Sequence, residues 1–208
     1  MAKQFDALED EHRRFIARQH VFFAASAAAT GRVNLSPKDA KSLRLIGETQ
    51  IALLDQTGSG NETSAHLKAD GRLTFMFCSF DGLPLILRLY GRGRILPRGG
   101  EAYASLLAEA FGGEEPFGAR QIVLMDIELV QTSCGYGVPL FDYVDERPNL
   151  LRWAEAQGED GMGRLPGVQE RAQHRRRANG VAGGGVNLPP PMRGEAKRGR
   201  WREERGDE

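Results

Sequence analysis

Cysteine, histidine and long apolar runs are all scarce in this chain of 208 residues. The two cysteines, Cys78 and Cys134, are far apart and belong to no CxxC pair, which argues against a disulfide scaffold or a dithiol redox motif. Four histidines, none at ligand spacing, argue against a structural metal site. No run approaches the ~20 apolar residues that a membrane-spanning helix needs. The opening "MAKQFDALEDEHRRF" is too charged for a secretory signal. These absences leave the expectation of a cytoplasmic protein with reduced thiols and no membrane partner.

Net charge is also missing: 28 basic residues balance 28 acidic ones. The balance hides an asymmetry, because residues 171–208 hold ten Lys/Arg against five Asp/Glu. The rest of the chain is correspondingly acidic. From Gln157 onward the sequence is rich in Gly, Pro and Arg and poor in apolar residues. Two regions are therefore expected, a folded domain over residues 1–156 and a largely disordered tail over 157–208.

Within the first region, apolar residues make up local patterns of both periods. Phe5, Leu8, His12, Phe15, Ile16 and Gln19 recur at helical spacing, so "FDALEDEHRRFIARQ" predicts an amphipathic helix. "VFFAASA" reads as a strand, and a turn at Thr30-Gly31 leads to a second extended piece stopped by Pro37. "QIALLDQ" is short and apolar enough for a strand buried on both faces. "NETSAHLKADG" predicts a brief helix closed by Gly71. "RLTFMFCSF" and "LILRLYGRGRIL" are strands around an Asp81-Gly82 turn. The second sets Leu85, Leu87 and Leu89 against Arg88, Tyr90, Arg92 and Arg94, and its Gly91 and Gly93 mark a bulge or a close backbone approach. "GEAYASLLAEAFGG" predicts a helix striped by Tyr103, Leu106, Leu107, Ala110 and Phe111. "RQIVLMDIELVQTSC" is a last strand, alternating Val123, Met125, Ile127 and Leu129 against Asp126 and Glu128. About six strands and three helices, with strands joined mostly by turns, indicate a mainly β, antiparallel sheet or small barrel.

Four features carry possible chemistry. In "LDQTGSGNETSAHL" a strand enters a glycine-rich turn that starts a helix, an arrangement of free N–H groups and helix dipole that favours anions. It is neither a Walker loop nor GxGxxG, and a tight turn capped by Ser59 or Asn61, with Glu62 in the first helical turn, explains it equally. The Arg88/Arg92/Arg94 face offers forks for a phosphate or carboxylate, or is simply solvated. His66 stands as a donor to a cofactor or as a packed helix residue. Cys134 in "SCGYGVP" has no evident cation or resolving cysteine, so a structural turn is expected there, and Cys78 is expected in the core.

Taken in order, "GRVNLSPK", "IALLDQTGSGNETSAHLKADGRLTFMFCSF" and "RLYGRGRIL" resemble the pyridoxamine 5'-phosphate oxidase-like family of FMN-binding split barrels, over roughly residues 15–135. "QTSCGYGVPLFDYVDERPNLLRWAE" and "HRRRANG" are similar to the C-terminal extension of one branch. The resemblance implies a six-stranded antiparallel split β-barrel, a homodimer with its sites at the subunit interface, and bound FMN. Carried over by position, Arg32, Asn34, Ser36 and Lys38 would line the flavin. Thr57 would match a strand-end threonine, and Ser59, Gly60, Asn61 and Glu62 would form the phosphate-side loop. Arg88 or Arg92 would reach the cofactor from a later strand. The acid at Glu62 replaces the basic residues usual in that loop, so Lys38 or a strand arginine would have to compensate it.

The function so implied is an FMN-dependent oxidoreductase acting on a small molecule that the sequence does not name. The same barrel also suits a non-catalytic module for flavin, haem or deazaflavin. A third reading makes the basic tail an adaptor for nucleic acid or a partner. Its interspersed acids, and the lack of aromatics besides Trp201, favour a solvated end instead.

Overall fold

A computed structural model describes residues 2–58 and 60–158. Ser59 and nearly all of the expected tail lie outside the described residues. Eight strands form one antiparallel sheet: β1 Lys3–Phe5, β2 Val21–Ser26, β3 Asn34–Asp39, β4 Leu43–Ile46, β5 Gln50–Gln56, β6 Arg72–Cys78, β7 Leu85–Pro97 and β8 Ala119–Cys134. Three α-helices join them, α1 Asp10–Ala17, α2 Glu62–Ala69 and α3 Glu101–Phe111. Residues 149–158 add a further helical segment.

The strand order is β3-β2-β6-β7-β8-β5-β4, with β1 paired to β8. This order forces curvature. In a flat sheet the edges β3 and β4 would lie six spacings apart, about 29 Å. They are nevertheless joined by the short 3-10 turn Ala40–Ser42. The four steps from Asp39 to Leu43 reach at most about 14 Å. The sheet therefore curls until its edges approach, and no ladder among the described residues joins β3 to β4. The result is a split β-barrel.

Its interior holds Phe22, Phe75, Phe77, Ile51, Leu53, Leu87, Leu89, Met125 and Val130, with Phe15 and Ile16 of α1 closing one end. A second core lies outside the barrel wall, where Tyr103, Leu106 and Phe111 of α3 cover Ala52, Leu54, Ile122 and Leu124. Both faces of β5 are thus buried, as its unbroken apolar run predicts. The stripe expected on α3 is the one buried, and the helix ends at Gly112 with φ +68°.

Several boundaries differ from the expectations. The helix expected from Phe5 starts at Asp10, because Phe5 belongs to β1 and pairs with Val130. His12 takes a capping role that its residue type does not advertise, accepting from the Glu9 backbone N–H at 3.1 Å through Nδ1. Pro37 does not stop its strand: it sits inside β3, opposite Phe23. Because β3 is an edge, the N–H that proline lacks has no outer partner to satisfy. β4 and β1 do not stand out in the sequence, being only four and three residues long.

The two glycines of β7 carry the barrel's sharpest constraint. The ladder with β8 pairs Tyr90 with Leu129 but Gly91 with Ile127, leaving Glu128 as the extra residue of a bulge. The bulge switches the inward parity of β8, so Val130 is fully buried and Leu129, expected on the inner row, is only half-buried. A Cβ on Gly91 would fall 1.9 Å from the Asp126 carbonyl oxygen. A Cβ on Gly93 would meet Leu67 of α2 and Leu73, each at 2.9 Å. Gly91→Ala should therefore cost about 3 kcal/mol of stability. Gly137→Ala, where a methyl group meets nothing within 4 Å, should stay within about 0.5 kcal/mol of wild type. Chemical denaturation of both variants checks the pair.

Candidate functional site

The glycine-rich turn between β5 and α2 rests on one buried carboxylate. Asp55, near the end of β5, points into the barrel alongside Gln121, its partner on β8. Lys38 Nζ lies 2.8 Å from Asp55 Oδ1. Arg120 donates to Oδ2 from Nε at 2.9 Å and from Nη2 at 2.8 Å. Gln121 Nε2 adds a third donor to Oδ2 at 2.9 Å. Asp55 is 4% exposed. Burial alone would raise its pKa, but the charges of Lys38 and Arg120 and their hydrogen bonds prevail and hold it below the ordinary carboxylate range.

The same donors shape the loop. Arg120 Nη1 reaches the Gly60 carbonyl at 3.0 Å, and Gln121 Nε2 reaches Asn61 Oδ1 at 3.1 Å. The Thr57 N–H bonds the Gly118 carbonyl at 2.8 Å. Asn61 stands at the N-cap of α2, yet its side chain makes no capping bond because it is turned toward Gln121. The loop is thus tied to the start of β8 by side chains rather than closed as a self-contained turn. The carboxylate of Glu62 folds back over Gly60, with Oε2 2.2 Å from where a Cβ would stand.

Across the split, the edge strand β3 turns alternate residues inward. Asn34, Ser36 and Lys38 pair with the buried Ser26, Ala24 and Phe22 and share their face. Ser36 Oγ donates to Asn34 Oδ1 at 3.2 Å, and Asn34 Nδ2 donates to Thr63 Oγ1 at 3.0 Å. One turn further along α2, His66 Nδ1 lies 3.1 Å from Ser26 Oγ, both residues being buried. Arg32 is exposed just ahead of β3.

The structure therefore brings Asn34, Ser36, Lys38, Thr57, Gly60 and Asn61 to one end of the barrel. Arg88 and Arg92 lie elsewhere in the same chain. Arg88 donates to Ser133 Oγ at 3.0 Å, and it pairs with Gln131, a path of about 33 Å along β8 from Gln121. Arg92 donates to the Asp70 carbonyl at 3.1 Å and faces Glu128. Lys38, expected to offset Glu62, is instead held by Asp55. Asp55, Arg120 and Gln121 went unnoticed in the sequence. The signal available was an acid inside an otherwise apolar buried strand, which demands a buried cation.

A flavin tests this geometry in two parts. The half-buried amide and hydroxyl row of β3 suits a hydroxylated chain. For a terminal phosphate, the nearby cations Lys38 and Arg120 are both engaged by Asp55, and the Glu62 carboxylate lies over Gly60.

The curled antiparallel sheet, with a polar cluster spanning its split beside a strand–loop–helix turn, defines a split-barrel protein. The pyridoxamine 5'-phosphate oxidase family is matched over residues 8–134, and this chain belongs to it. A pyridoxamine 5'-phosphate oxidase family protein of Aspergillus flavus, ustO, is 41% identical over 149 residues, 70% of this chain. The chain spans 59% of the length of that relative. Among solved structures, HupZ of Group A Streptococcus aligns over 59% of this chain and 91% of its own, at 22% identity and a TM-score of 0.46. The heme storage protein HutZ of Vibrio cholerae aligns over 62% and 97%, at 15% identity and a TM-score of 0.45. Neither says what this chain binds.

Asp55→Asn leaves Lys38 and Arg120 facing a neutral amide, and should cost about 3 kcal/mol of stability at neutral pH. Because the folded pKa of Asp55 is depressed, its contribution is fully present above the unfolded value. It is lost as pH falls below the ordinary 3.8 and through the folded value. Denaturation curves taken from neutral pH down into that range should show less acid destabilisation for Asp55→Asn than for wild type.

Proposed function

We propose that this protein is a flavin-dependent oxidoreductase whose ring cofactor lies against the inward row of β3 and the β5–α2 loop. The observation that carries the reading is the meeting of Asn34, Ser36 and Thr63 across the open split, a row of hydrogen-bonding side chains left half-buried at the barrel's end. Family membership supports the choice of cofactor class. Bound flavin supplies hydride acceptance at its ring, while the chain binds, orients and keeps water out. The absence of an acid–base constellation among the described residues is consistent with chemistry carried by a cofactor.

FMN is the flavin the family points to, with deazaflavin and haem as the competing occupants of the same slot. The protein acts as a cytoplasmic homodimer in this reading, with Arg88 and Arg92 reaching the cofactor from the partner copy. Exposed apolar residues support a second copy: Val33 and Leu35 stand outside β3, and Tyr136, Leu140 and Val144 follow β8, all at least 61% exposed. The substrate is a small molecule whose identity the site geometry leaves open.

The test is the visible spectrum of purified full-length protein, followed by titration with flavins, a deazaflavin and haem. A flavin spectrum, or saturable flavin binding, with bleaching by a reduced nicotinamide donor, is the expected result. Protein that ignores every flavin and takes up haem or deazaflavin overturns it. Removing both hydrogen-bonding groups in Asn34→Ala/Ser36→Ala should weaken flavin binding about thirtyfold, as two lost bonds near 1 kcal/mol each imply. Fluorescence quenching reads the change, with the melting temperature as a control for folding.

A further inference from the structure

The segment that leaves β8, residues 135–148, folds back onto the barrel and is pinned at two points. The Phe141 N–H donates to the Phe80 carbonyl at 2.9 Å, with the two rings stacked. The Tyr143 ring lies flat on His20, with centroids 3.7 Å apart and planes 7° apart. Between this segment, the end of α1 and the 3-10 turn Ala40–Ser42, the fold leaves a cavity of about 350 Å³. That size is at the small end of ligand pockets, which run from roughly 300 to 1,000 Å³. Ile16 and Leu43 give the cavity an apolar wall, and Arg18, Lys41 and Glu146 bring charge to it. Arg44 also borders it, but is engaged by the Lys41 and Leu43 carbonyls and by the Phe111 ring.

Glu146 is the anomaly here. Its Oε1 is shielded from solvent and accepts no hydrogen bond, with Lys41 Nζ 3.5 Å away. Tyr143 is hydrogen-bonded to the same carboxylate, and burial together with that bond pushes the phenol up to about 12, so it stays a donor. A carboxylate oxygen withdrawn from water without a donor is costly, and a donor carried by a ligand would relieve that cost. Arg18 and Lys41, both exposed, offer N–H groups to an anion from the same walls. We propose that this cavity binds a small zwitterion with an apolar side chain, an α-amino acid of leucine's kind, whose ammonium group donates to Glu146 Oε1 and whose carboxylate meets Arg18 and Lys41. The site goes beyond the flavin reading and does not depend on it, since the cavity shares no lining residue with the row of Asn34, Ser36 and Thr63.

Leucine is the probe, with two analogues that each lack one of its charges: isopentylamine has no carboxylate, and N-acetylleucine has no ammonium. Calorimetric titration of the full-length protein, with or without flavin, is expected to show saturable leucine binding. Each analogue is expected to bind at least about tenfold more weakly, because each loses one charge-assisted contact. Glu146→Gln is expected to weaken leucine binding about tenfold and to change N-acetylleucine binding less than about twofold, with the melting temperature reporting the variant's folding. Wild-type protein that binds leucine no more tightly than either analogue overturns the proposal, and so does wild type that binds none of the three. Neither result needs a variant to fold. A folded Glu146→Gln that holds leucine as tightly as wild type overturns it as well.

Discussion

The Asp55 carboxylate is the point on which this end of the barrel depends. It lies on β5, takes Lys38 from β3, Arg120 and Gln121 from β8, and through the last two holds Gly60 and Asn61. Of these contacts, the one with Lys38 crosses the split, where among the described residues no backbone ladder joins the sheet's edges. A charged group buried in this way is costly unless its partners are near and well directed, and four donor groups from three residues meet that condition. The same geometry that stabilises the acid therefore positions the loop. Stability and site architecture are coupled through four side chains.

A second constraint shapes the wall opposite. Gly91 allows the Asp126 carbonyl to approach the β7 backbone, and the bulge at Glu128 turns β8 so that both of its halves keep an apolar row inside. Gly93 then makes room for Leu67, which seats α2 on the barrel. Since α2 carries Thr63 and His66 on the face toward β3 and β2, backbone approach at two glycines sets where those side chains stand. Packing at one side of the barrel thus reaches the polar row at its end.

The two cations at the root of the loop, Lys38 and Arg120, are both turned to Asp55 by these arrangements. Family relatives are expected to meet a phosphate with basic residues; here the basic residues of the neighbourhood are engaged by Asp55, and the loop contributes an acid.

Much of this was legible in the residues alone. The β5 run, the α3 stripe and its glycine stop, the Gly91/Gly93 irregularity and the strand–loop–helix turn are local patterns, and local patterns survive into the fold because burial on one or both faces imposes their period. Resemblance in the order of motifs supplied the family. The sequence could not show that Pro37 sits within an edge strand, that Phe5 leaves α1 to pair with β8, or that the inner row of β8 changes parity at Glu128. Nor did it reveal that Lys38 belongs to Asp55 rather than to Glu62. Those outcomes depend on which strands become neighbours when the sheet curls. Partners 17 and 65 positions apart in the chain, such as Lys38 and Arg120 about Asp55, are chosen by that closure and by nothing in their own segments.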